Sequence, residues 1–184
     1  MNKTGTQTIE TERQLLRKLR VEDAQDMFEN WASDPEVIKF MPWRVLENVD
    51  EARELIEYWA GDYFKDDYFN WAIVYKENDK VIGNIWVGQL NEWIEAADMA
   101  CCLGRSYWNQ GIMTEALMSV MDYLFDVVGV NRITGSRAAN NPASGRIMEK
   151  AGMLYEGMLR SGGKNKDGIC DVFLYGMLKN DRQK

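Results

Sequence analysis

Histidine is absent from this sequence of 184 residues, and proline and cysteine occur only three times each. Without histidine there is no Ser-His-Asp triad, no Cys-His nucleophile and hardly any catalytic zinc site, because each of these depends on an imidazole. The cysteines Cys101, Cys102 and Cys170 are odd in number and match no zinc-ligand spacing. The sequence therefore predicts no metal site and none of the nucleophilic mechanisms that rely on histidine.

Long apolar runs are also missing, since none approaches the ~20 residues of a membrane span. Residues 1–8 are polar and lack the hydrophobic segment of a signal peptide. We therefore expect a cytoplasmic protein with no membrane partner.

Acidic residues outnumber basic ones: the chain contains 29 Asp and Glu and 22 Lys and Arg, which gives a formal net charge of -7. Nucleic-acid binding needs a basic face, so no nucleic-acid partner is expected, whereas a cationic substrate such as an amine is compatible with this charge. The length and a hydrophobic content of 46% indicate one domain with a real core. We expect a flexible N-terminus over residues 1–8, a single domain over 9–179 and a C-terminal tail over 180–184.

The most informative stretch is Cys101–Leu117, which reads as the end of a strand, a turn containing Gly111 and the start of a helix. Apolar residues continue at helical spacing to Val128, and Gly129 offers a left-handed stop. Such a turn leaves free backbone N–H groups at the helix start, where phosphate oxygens can bind. No Lys-Ser/Thr follows Gly111 and no G-x-G-x-x-G is present, so the sequence lacks the motifs that identify P-loop and Rossmann nucleotide-binding folds. A glycine that only permits a tight turn is the structural alternative.

The rest of the chain predicts a mixed α/β fold. A first strand is expected within residues 9–19, followed by two helices, of which the first is broken at Asp34–Pro35 and the second is capped by Asn48 or Asp50 and ends at Gly61. Further strands are predicted at 69–75, 81–89 and 94–103 as an antiparallel meander, at 131–138, and at 153–159 and 168–178 as a closing hairpin. The βαβ unit around the central helix predicts one parallel strand pair with a right-handed crossover.

A second informative stretch is Asn140–Met153. Asn141 and Pro142 suit the cap and first position of a helix, and Gly152 suits its stop. This structural reading holds whatever chemistry the stretch carries.

Together the two stretches resemble the GNAT N-acetyltransferase superfamily, in particular its ribosomal-protein N-acetyltransferase-like (RimJ/RimL) branch. Trp108–Met113 stands where the family carries Q/R-x-x-G-x-G/A, and although only Gly111 matches that pattern, Tyr-Trp-x-x-Gly-x-x-Thr-Glu-Ala is similar to the form common in the branch. The family's N-x-x-S-x-x-x-x-x-K-x-G-F is matched by Asn141, Ser144, Lys150 and Gly152, with Met153 in place of the aromatic residue. The resemblance covers about residues 11–178. It implies the GNAT fold: a central, mostly antiparallel twisted sheet with one splayed parallel pair, flanked by about four helices.

The resemblance also implies acetyl-CoA as cosubstrate. In the family, loop N–H groups bind the pyrophosphate, and the splayed strand and the motif asparagine bind the pantetheine arm. The cofactor-binding residues carried over are Cys101, Cys102, Leu103, Trp108, Asn109, Gln110, Gly111, Ile112, Met113, Thr114, Asn141, Ser144 and Arg146. Ser144 is the candidate partner of the thioester sulfur, because Met148 has no hydroxyl where several relatives carry a tyrosine. Helix capping for Ser144 and simple exposure for Arg146 are the structural alternatives.

Acetyl transfer requires a neutral amine, and since an unperturbed primary amine has a pKa near ~10, a carboxylate is expected to take its proton directly or through water. Many relatives carry a glutamate on the strand that precedes the glycine loop. Asp98 is the first choice here and Glu95 the second, with a solvated strand residue as the alternative. Phe40, Trp43 and Tyr175 are candidates for binding the acceptor, with ordinary core packing as the alternative.

The sequence therefore predicts an acetyl-CoA-dependent N-acetyltransferase that acts on a primary amine, either a protein N-terminus or a small molecule. Direct transfer in a ternary complex is expected, because no covalent nucleophile is evident. A coenzyme A-binding regulatory domain without turnover is the first alternative, and a Rossmann-type nucleotide-binding domain is the second. A monomer and a homodimer are both compatible with the sequence.

Overall fold

The computed structural model describes residues 1–41 and 43–182. In that part of the chain, one mixed eight-stranded sheet carries helices on both faces. The strands are β1 (Ile9–Glu10), β2 (Gln14–Arg17), β3 (Asn70–Tyr75), β4 (Lys80–Asn91), β5 (Ala96–Leu103), β6 (Arg132–Ala138), β7 (Leu154–Asn165) and β8 (Gly168–Leu178). The α-helices are α1 (Ala24–Met27), α2 (Pro35–Ile38), α3 (Val49–Ala60), α4 (Ile112–Tyr123) and α5 (Pro142–Lys150), and π-helical turns continue α1 through Phe28–Ala32 and α4 through Leu124–Val128. None of the helices in these ranges combines the length and apolarity that crossing a membrane requires.

The helix ends follow the predicted capping residues. Asn48 caps α3, because its Oδ1 accepts a hydrogen bond from the N–H of Glu51 at 3.0 Å. Asn141 and Pro142 begin α5 as predicted. Gly129 ends the extension of α4 with a φ of 81°, which a glycine adopts without steric cost. These signals are local, so the sequence alone is enough to place them.

Two predicted elements differ in the structure. The single strand expected within residues 9–19 is a tight hairpin of β1 and β2, because the N–H of Thr11 donates to the carbonyl oxygen of Gln14 at 3.0 Å and reverses the chain. The break at Asp34–Pro35 also starts a new helix. Asp34 Oδ1 accepts a hydrogen bond from the N–H of Glu36 at 3.0 Å, and a proline is well suited to the first position of α2.

The sheet has the order β1-β2-β3-β4-β5-β6-β8-β7, and within it only β5 and β6 run parallel. Their pairing covers Ala96–Met99 and Arg132–Gly135 and then stops. Both strands continue, since β5 stays paired with β4 as far as Leu103 and β6 stays paired with β8 as far as Ala138. The two strands therefore splay apart into a wedge beside residues 100–103, which confirms the predicted parallel pair and its α4 crossover.

Each face of the sheet has its own core. On one face α4 and α5 pack through a cluster that includes Val120, Leu124 and Phe125, all 0% exposed. On the other face α1 to α3 pack around Trp31 and Ile56. Because each fully buried side chain of this kind contributes about 1.5–3 kcal/mol, this packing fixes the start of α4 beside the wedge.

Residues 1–8, for which the sequence predicted flexibility, lie against the body of the molecule. Thr4 Oγ1 and the Tyr123 hydroxyl are 2.5 Å apart, and the buried Thr6 donates its hydroxyl to the carbonyl oxygen of Tyr68 at 3.0 Å. Of the predicted tail over residues 180–184, residues 183 and 184 lie outside the described residues, and Arg182 pairs with Asp126 at 2.6 Å.

Candidate active site

The loop from β5 into α4 contains two residues with positive φ, Asn109 at 61° and Gly111 at 76°. Glycine adopts this left-handed conformation freely, and asparagine tolerates it better than most residues do. The Trp108 indole anchors the loop, since its Nε1 donates to the carbonyl oxygen of Leu103 at 2.8 Å. The chain thus reverses direction into α4 within a few residues.

The first turn of α4 faces a cavity of about 420 Å³, which we call the helix-start cavity. No side chain caps the helix at Gly111, and within the described ranges no acceptor contacts the N–H groups of residues 112–114. Free N–H groups at the positive end of a helix dipole favour phosphate oxygens. All of the predicted cofactor-binding residues except Gln110 line this cavity.

Three cations line the helix-start cavity, Lys39, Arg146 and Lys150, against the single carboxylate of Glu36. None of these cations forms a salt bridge with any other residue that the structure describes. The cavity therefore combines a positive charge balance with free backbone donors, although the chain as a whole is acidic. That combination suits a polyphosphate.

A clamp of side chains holds the glycine loop from behind, and sequence reasoning missed it. Arg13 donates through Nη1 to the carbonyl oxygen of Gln110 at 2.9 Å and through Nε to Glu115 Oε2 at 2.7 Å. Thr11 donates its hydroxyl to Glu115 Oε1 at 2.6 Å. Burial raises the pKa of Glu115, but the hydrogen bonds from Thr11 and Arg13 outweigh this effect and lower the pKa below its usual value. The β1–β2 hairpin thus positions the helix start.

Replacing Glu115 with Gln is expected to raise the Kd for coenzyme A about tenfold, because charge-assisted hydrogen bonds of ~1.5–3 kcal/mol no longer hold the loop. Isothermal titration calorimetry measures this change. Asp122→Asn is the matched control, since Asp122 lies on the same helix and pairs with Arg182 away from the loop. Equal affinities for the two variants would contradict the role of the clamp.

The lowered pKa of Glu115 also predicts a pH dependence of stability. Because the folded chain holds this carboxylate at a lower pKa, the unfolded chain binds more protons, and stability rises with pH. The contribution is complete above the unfolded pKa of ~4.3 and is lost as pH falls through the folded value. Urea unfolding between about pH 3 and pH 5 should therefore show a steeper loss for the wild type than for Glu115→Gln. Parallel pH curves would refute this assignment.

A second cavity, of about 380 Å³, adjoins the helix-start cavity at the strand wedge. We call it the junction cavity. The two cavities share Phe40, Met41, Cys101, Asn141, Ser144 and Ile147. Ser144 forms no side-chain hydrogen bond with any described residue, so its hydroxyl is available to a ligand. A ligand whose phosphates lie at α4 can therefore extend along β5 into the junction cavity.

Asp98 lies next to the junction cavity without lining it. Thr134 does line it, and the Thr134 hydroxyl donates to Asp98 Oδ1 at 2.7 Å. No carboxylate belongs to the described lining of this cavity. Asp98 is thus one hydrogen bond away from a residue of the cavity lining. Glu95, the second choice for the base, instead forms an exposed turn, where its carbonyl oxygen accepts from the N–H of Asn131 at 2.7 Å.

Cys101 lines both cavities, and its chemistry bears on the mechanism. Burial raises the pKa of the Cys101 thiol to about 11, so very little of it is thiolate at neutral pH. A thiol in this state is a poor nucleophile. The burial of this thiol therefore does not favour an acyl-cysteine.

Alkylation of Cys101 by iodoacetamide should be slow at neutral pH and should still be accelerating at pH 10, because the thiolate fraction follows the raised pKa. Tandem mass spectrometry, which fragments the peptide between the adjacent Cys101 and Cys102, distinguishes the three cysteines, and Cys170, half-buried like Cys101, serves as the internal comparison. A rate for Cys101 that levels off by pH 9 would show that the thiol is not held neutral.

The three candidate acceptor-binding residues do not lie together in the structure. Phe40 and Trp43 line the junction cavity, and Trp43 also lines a third cavity beyond it. Tyr175 reaches none of the three cavities. It is 2% exposed, and its hydroxyl lies 3.3 Å from Arg137 Nε and 3.3 Å from Glu149 Oε1. Gln110 is also outside the cavities, and its side chain donates to the carbonyl oxygen of Ser106.

Comparison with known proteins decides the family. A family model described as an acetyltransferase (GNAT) domain matches residues 13–154. This chain belongs to the GNAT acetyltransferases. It is 31% identical over 175 residues to the uncharacterized N-acetyltransferase p20 of Bacillus licheniformis, which covers 95% of this chain and 98% of that protein. As a member of the GNAT family, it is an acetyl-CoA-dependent acyltransferase. The predicted family is thereby confirmed.

The relatives include a ribosomal-protein acetyltransferase, as the RimJ/RimL-like motifs indicated. The ribosomal-protein-serine acetyltransferase of Escherichia coli strain K12 is 26% identical over 108 residues, which cover 59% of this chain and 60% of that protein. The branch resemblance is therefore supported by sequence as well as by motif.

Solved GNAT structures share the fold. An acetyltransferase of this family from Bacillus anthracis superposes with a TM-score of 0.84 at 23% identity, covering 95% of this chain and 99% of that one. The microcin C7 self-immunity acetyltransferase MccE, solved with acetyl-CoA and AMP, superposes with a TM-score of 0.81 at 19% identity, covering 91% and 93%. The predicted fold, a mostly antiparallel sheet with one parallel pair, is confirmed.

The residues on this chain fit acetyl-CoA. Its polyphosphate matches the uncapped start of α4 and the three surrounding cations, and its extended pantetheine arm matches the unpaired edge of β5. Within the described ranges no group of three or more His, Cys, Asp or Glu side chains could hold a metal ion.

Proposed function

We propose that this GNAT acetyltransferase moves the acetyl group of acetyl-CoA to a primary amine by direct attack in a ternary complex. The observation that carries the proposal is the junction at Ser144 and Cys101, where the helix-start cavity meets the junction cavity, which is large enough for an acceptor. When bound, acetyl-CoA supplies the electrophilic thioester. Both ligands can then be present together, and transfer needs no covalent enzyme intermediate.

Two elements, α4 and β5, would bind different parts of acetyl-CoA. The N–H groups of residues 112–114, with Arg146 and Lys150, would hold its phosphates. The free edge of β5 at residues 101–103, together with Asn141, would hold the pantetheine arm. A strand N–H on the same edge is suited to stabilise the negative charge that develops on the acetyl oxygen.

Two side chains would move protons. Thr134 accepts a proton from the amine while its own hydroxyl proton passes to Asp98, and the geometry of their 2.7 Å hydrogen bond supports this direction. The Ser144 hydroxyl, which lines both cavities, would donate to the departing sulfur. Met148 lines the same cavity without a hydroxyl, so Ser144 is the better candidate.

Ser144→Ala is expected to lower kcat about tenfold and to leave the Kd for coenzyme A within about twofold, because the lost hydrogen bond forms to the leaving sulfur. Ser144→Thr, which keeps the hydroxyl, is the matched control. Steady-state thiol release and calorimetry separate the two quantities. An unchanged kcat in the alanine variant would remove Ser144 from the mechanism.

One observation favours a second candidate function. The junction cavity has no carboxylate in its described lining, which is the arrangement expected of a coenzyme A-binding regulatory domain that lacks turnover. Thiol release measured against a panel of amines, peptides with free N-termini included, distinguishes the two functions. Release with at least one acceptor supports the enzyme, whereas tight binding of acetyl-CoA without release on any acceptor supports the regulatory domain.

We infer a single domain over residues 9–179 in the cytoplasm, as a monomer or a homodimer, with no nucleic-acid or membrane partner. The net charge of -7 supports the absence of a nucleic-acid partner.

A further inference from the structure

A glycine stands inside α5 at position 145, directly after Ser144. Glycine is less favourable than alanine in the interior of a helix. The φ of Gly145 lies outside the left-handed region, so the backbone itself does not require a glycine there. The space does, because a Cβ on residue 145 would lie 2.6 Å from Arg137 Nε and 2.8 Å from the Tyr175 hydroxyl. The glycine therefore makes room for the guanidinium of Arg137 against the first turn of α5.

This guanidinium holds the turn that connects β6 with α5. Arg137 Nη1 donates to the carbonyl oxygen of Ala138 at 3.1 Å and to that of Ala139 at 2.9 Å. The turn then leads to Asn141, whose Oδ1 accepts from the N–H of Ser144 at 3.4 Å. The segment that carries both predicted ligands of the pantetheine and thioester is thus fixed by the side chain of Arg137.

The same guanidinium is held in turn by β8. It lies 4.3 Å from the ring centroid of Phe173, within the range of a cation–π interaction. Arg137 Nε donates to the Tyr175 hydroxyl at 3.3 Å, and that hydroxyl donates to Glu149 Oε1 at 3.3 Å. Because Glu149 belongs to α5, these contacts connect β6 and β8 with the helix that carries Ser144.

Arg137 also lines the junction cavity, but its Nε and Nη1 donors are used inside the protein. A planar guanidinium offers its donors in a fixed fork, and the compact ammonium of a lysine cannot reproduce that geometry. The contacts therefore suit a side chain that orients its neighbours more than one that binds a ligand.

We infer that Arg137 is a positioning residue for acetyl transfer. It holds the start of α5 so that the Ser144 hydroxyl reaches the junction of the two cavities, and Gly145 and Tyr175 hold Arg137 in place. The inference rests on the proposed donation from Ser144 to the departing sulfur and adds a residue that acts through it.

The test is a double-mutant cycle between Arg137→Lys and Ser144→Ala, with kcat and the KM for the acceptor measured by thiol release. Arg137→Lys should lower kcat about tenfold and leave KM within about twofold, because misplacing a reacting group slows the chemical step. In the Ser144→Ala background the same substitution should change kcat less than about twofold, since the hydroxyl that it positions is already gone.

Gly145→Ala tests the same contact without touching the charge. The added Cβ displaces the guanidinium, so kcat should fall as in Arg137→Lys although alanine favours the helix. Arg132→Lys is the matched control, because Arg132 lies on the opposite face of the same strand, pairs with Glu156 and lines none of the cavities. It should keep kcat within about twofold of the wild type. Thermal unfolding shows that each variant is folded.

Three results would overturn the positioning role and leave the proposed transfer standing. They are a wild-type kcat in Arg137→Lys or in Gly145→Ala, losses that multiply in the double variant, and a loss that appears in the KM for the acceptor alone. An unchanged kcat in Ser144→Ala itself would instead remove Ser144 from the mechanism, and the inference with it.

Discussion

Asp98→Asn is expected to lower kcat about 100-fold at neutral pH and to leave the Kd for coenzyme A unchanged, since general base catalysis contributes roughly 10²–10⁴-fold. The amide cannot take the proton that the Thr134 hydroxyl delivers across its 2.7 Å hydrogen bond. The deficit should shrink as pH approaches the amine's own pKa of ~10, because a growing fraction of the acceptor is then already neutral. Steady-state rates from pH 6 to pH 10 measure this recovery.

Matched variants test the same path. Glu95→Gln removes the carboxylate of the second candidate base. Because Glu95 lies in an exposed turn, this variant should keep the wild-type dependence of rate on pH. Thr134→Val should reproduce the loss of Asp98→Asn, whereas Thr134→Ser retains the hydroxyl and most of the rate. If Asp98→Asn keeps the wild-type kcat at pH 7, a carboxylate-linked base at this position is ruled out.

Gly111→Val is expected to weaken coenzyme A binding by at least tenfold. A Cβ at position 111 would meet Arg13 Nη2 at 3.5 Å, an ordinary contact, so lack of space is not the cause. The cause is the φ of 76°, which costs an L-residue roughly 1–2 kcal/mol and a β-branched residue more. The valine loop relaxes toward negative φ, and the N–H groups at the start of α4 turn away from the phosphates. Calorimetry with coenzyme A measures the loss.

Gly129→Val provides the control for this variant. Gly129 also has a positive φ, 81°, and nothing lies within 4 Å of an added Cβ, but it ends the extension of α4 far from its start. Both variants should lose stability, as thermal unfolding would show, whereas only Gly111→Val should lose affinity. Equal affinities would mean that the loop conformation does not govern phosphate binding.

The features that the sequence determined by itself are those that depend on neighbours along the chain. The caps at Asn48 and Asn141, the stop at Gly129 and the glycine turn into α4 are each set by a few consecutive residues. The family motifs are of this kind too, because the helix start that we propose as the phosphate site is built from one short segment. For this reason nearly all of the predicted cofactor-binding residues line one cavity.

The features that only the tertiary structure decided depend on residues far apart in sequence. Arg13 meets Gln110 and Glu115 across about a hundred positions, and Trp43 meets Trp86 from a separate loop and strand. No local pattern encodes such contacts, because the packing of the whole sheet brings them together. Tyr175 illustrates the same dependence on the packed fold. Strand alternation predicts the face of the sheet on which its side chain lies. Only the packed fold shows that its hydroxyl is hydrogen-bonded to Arg137 and Glu149 and is therefore closed to a substrate.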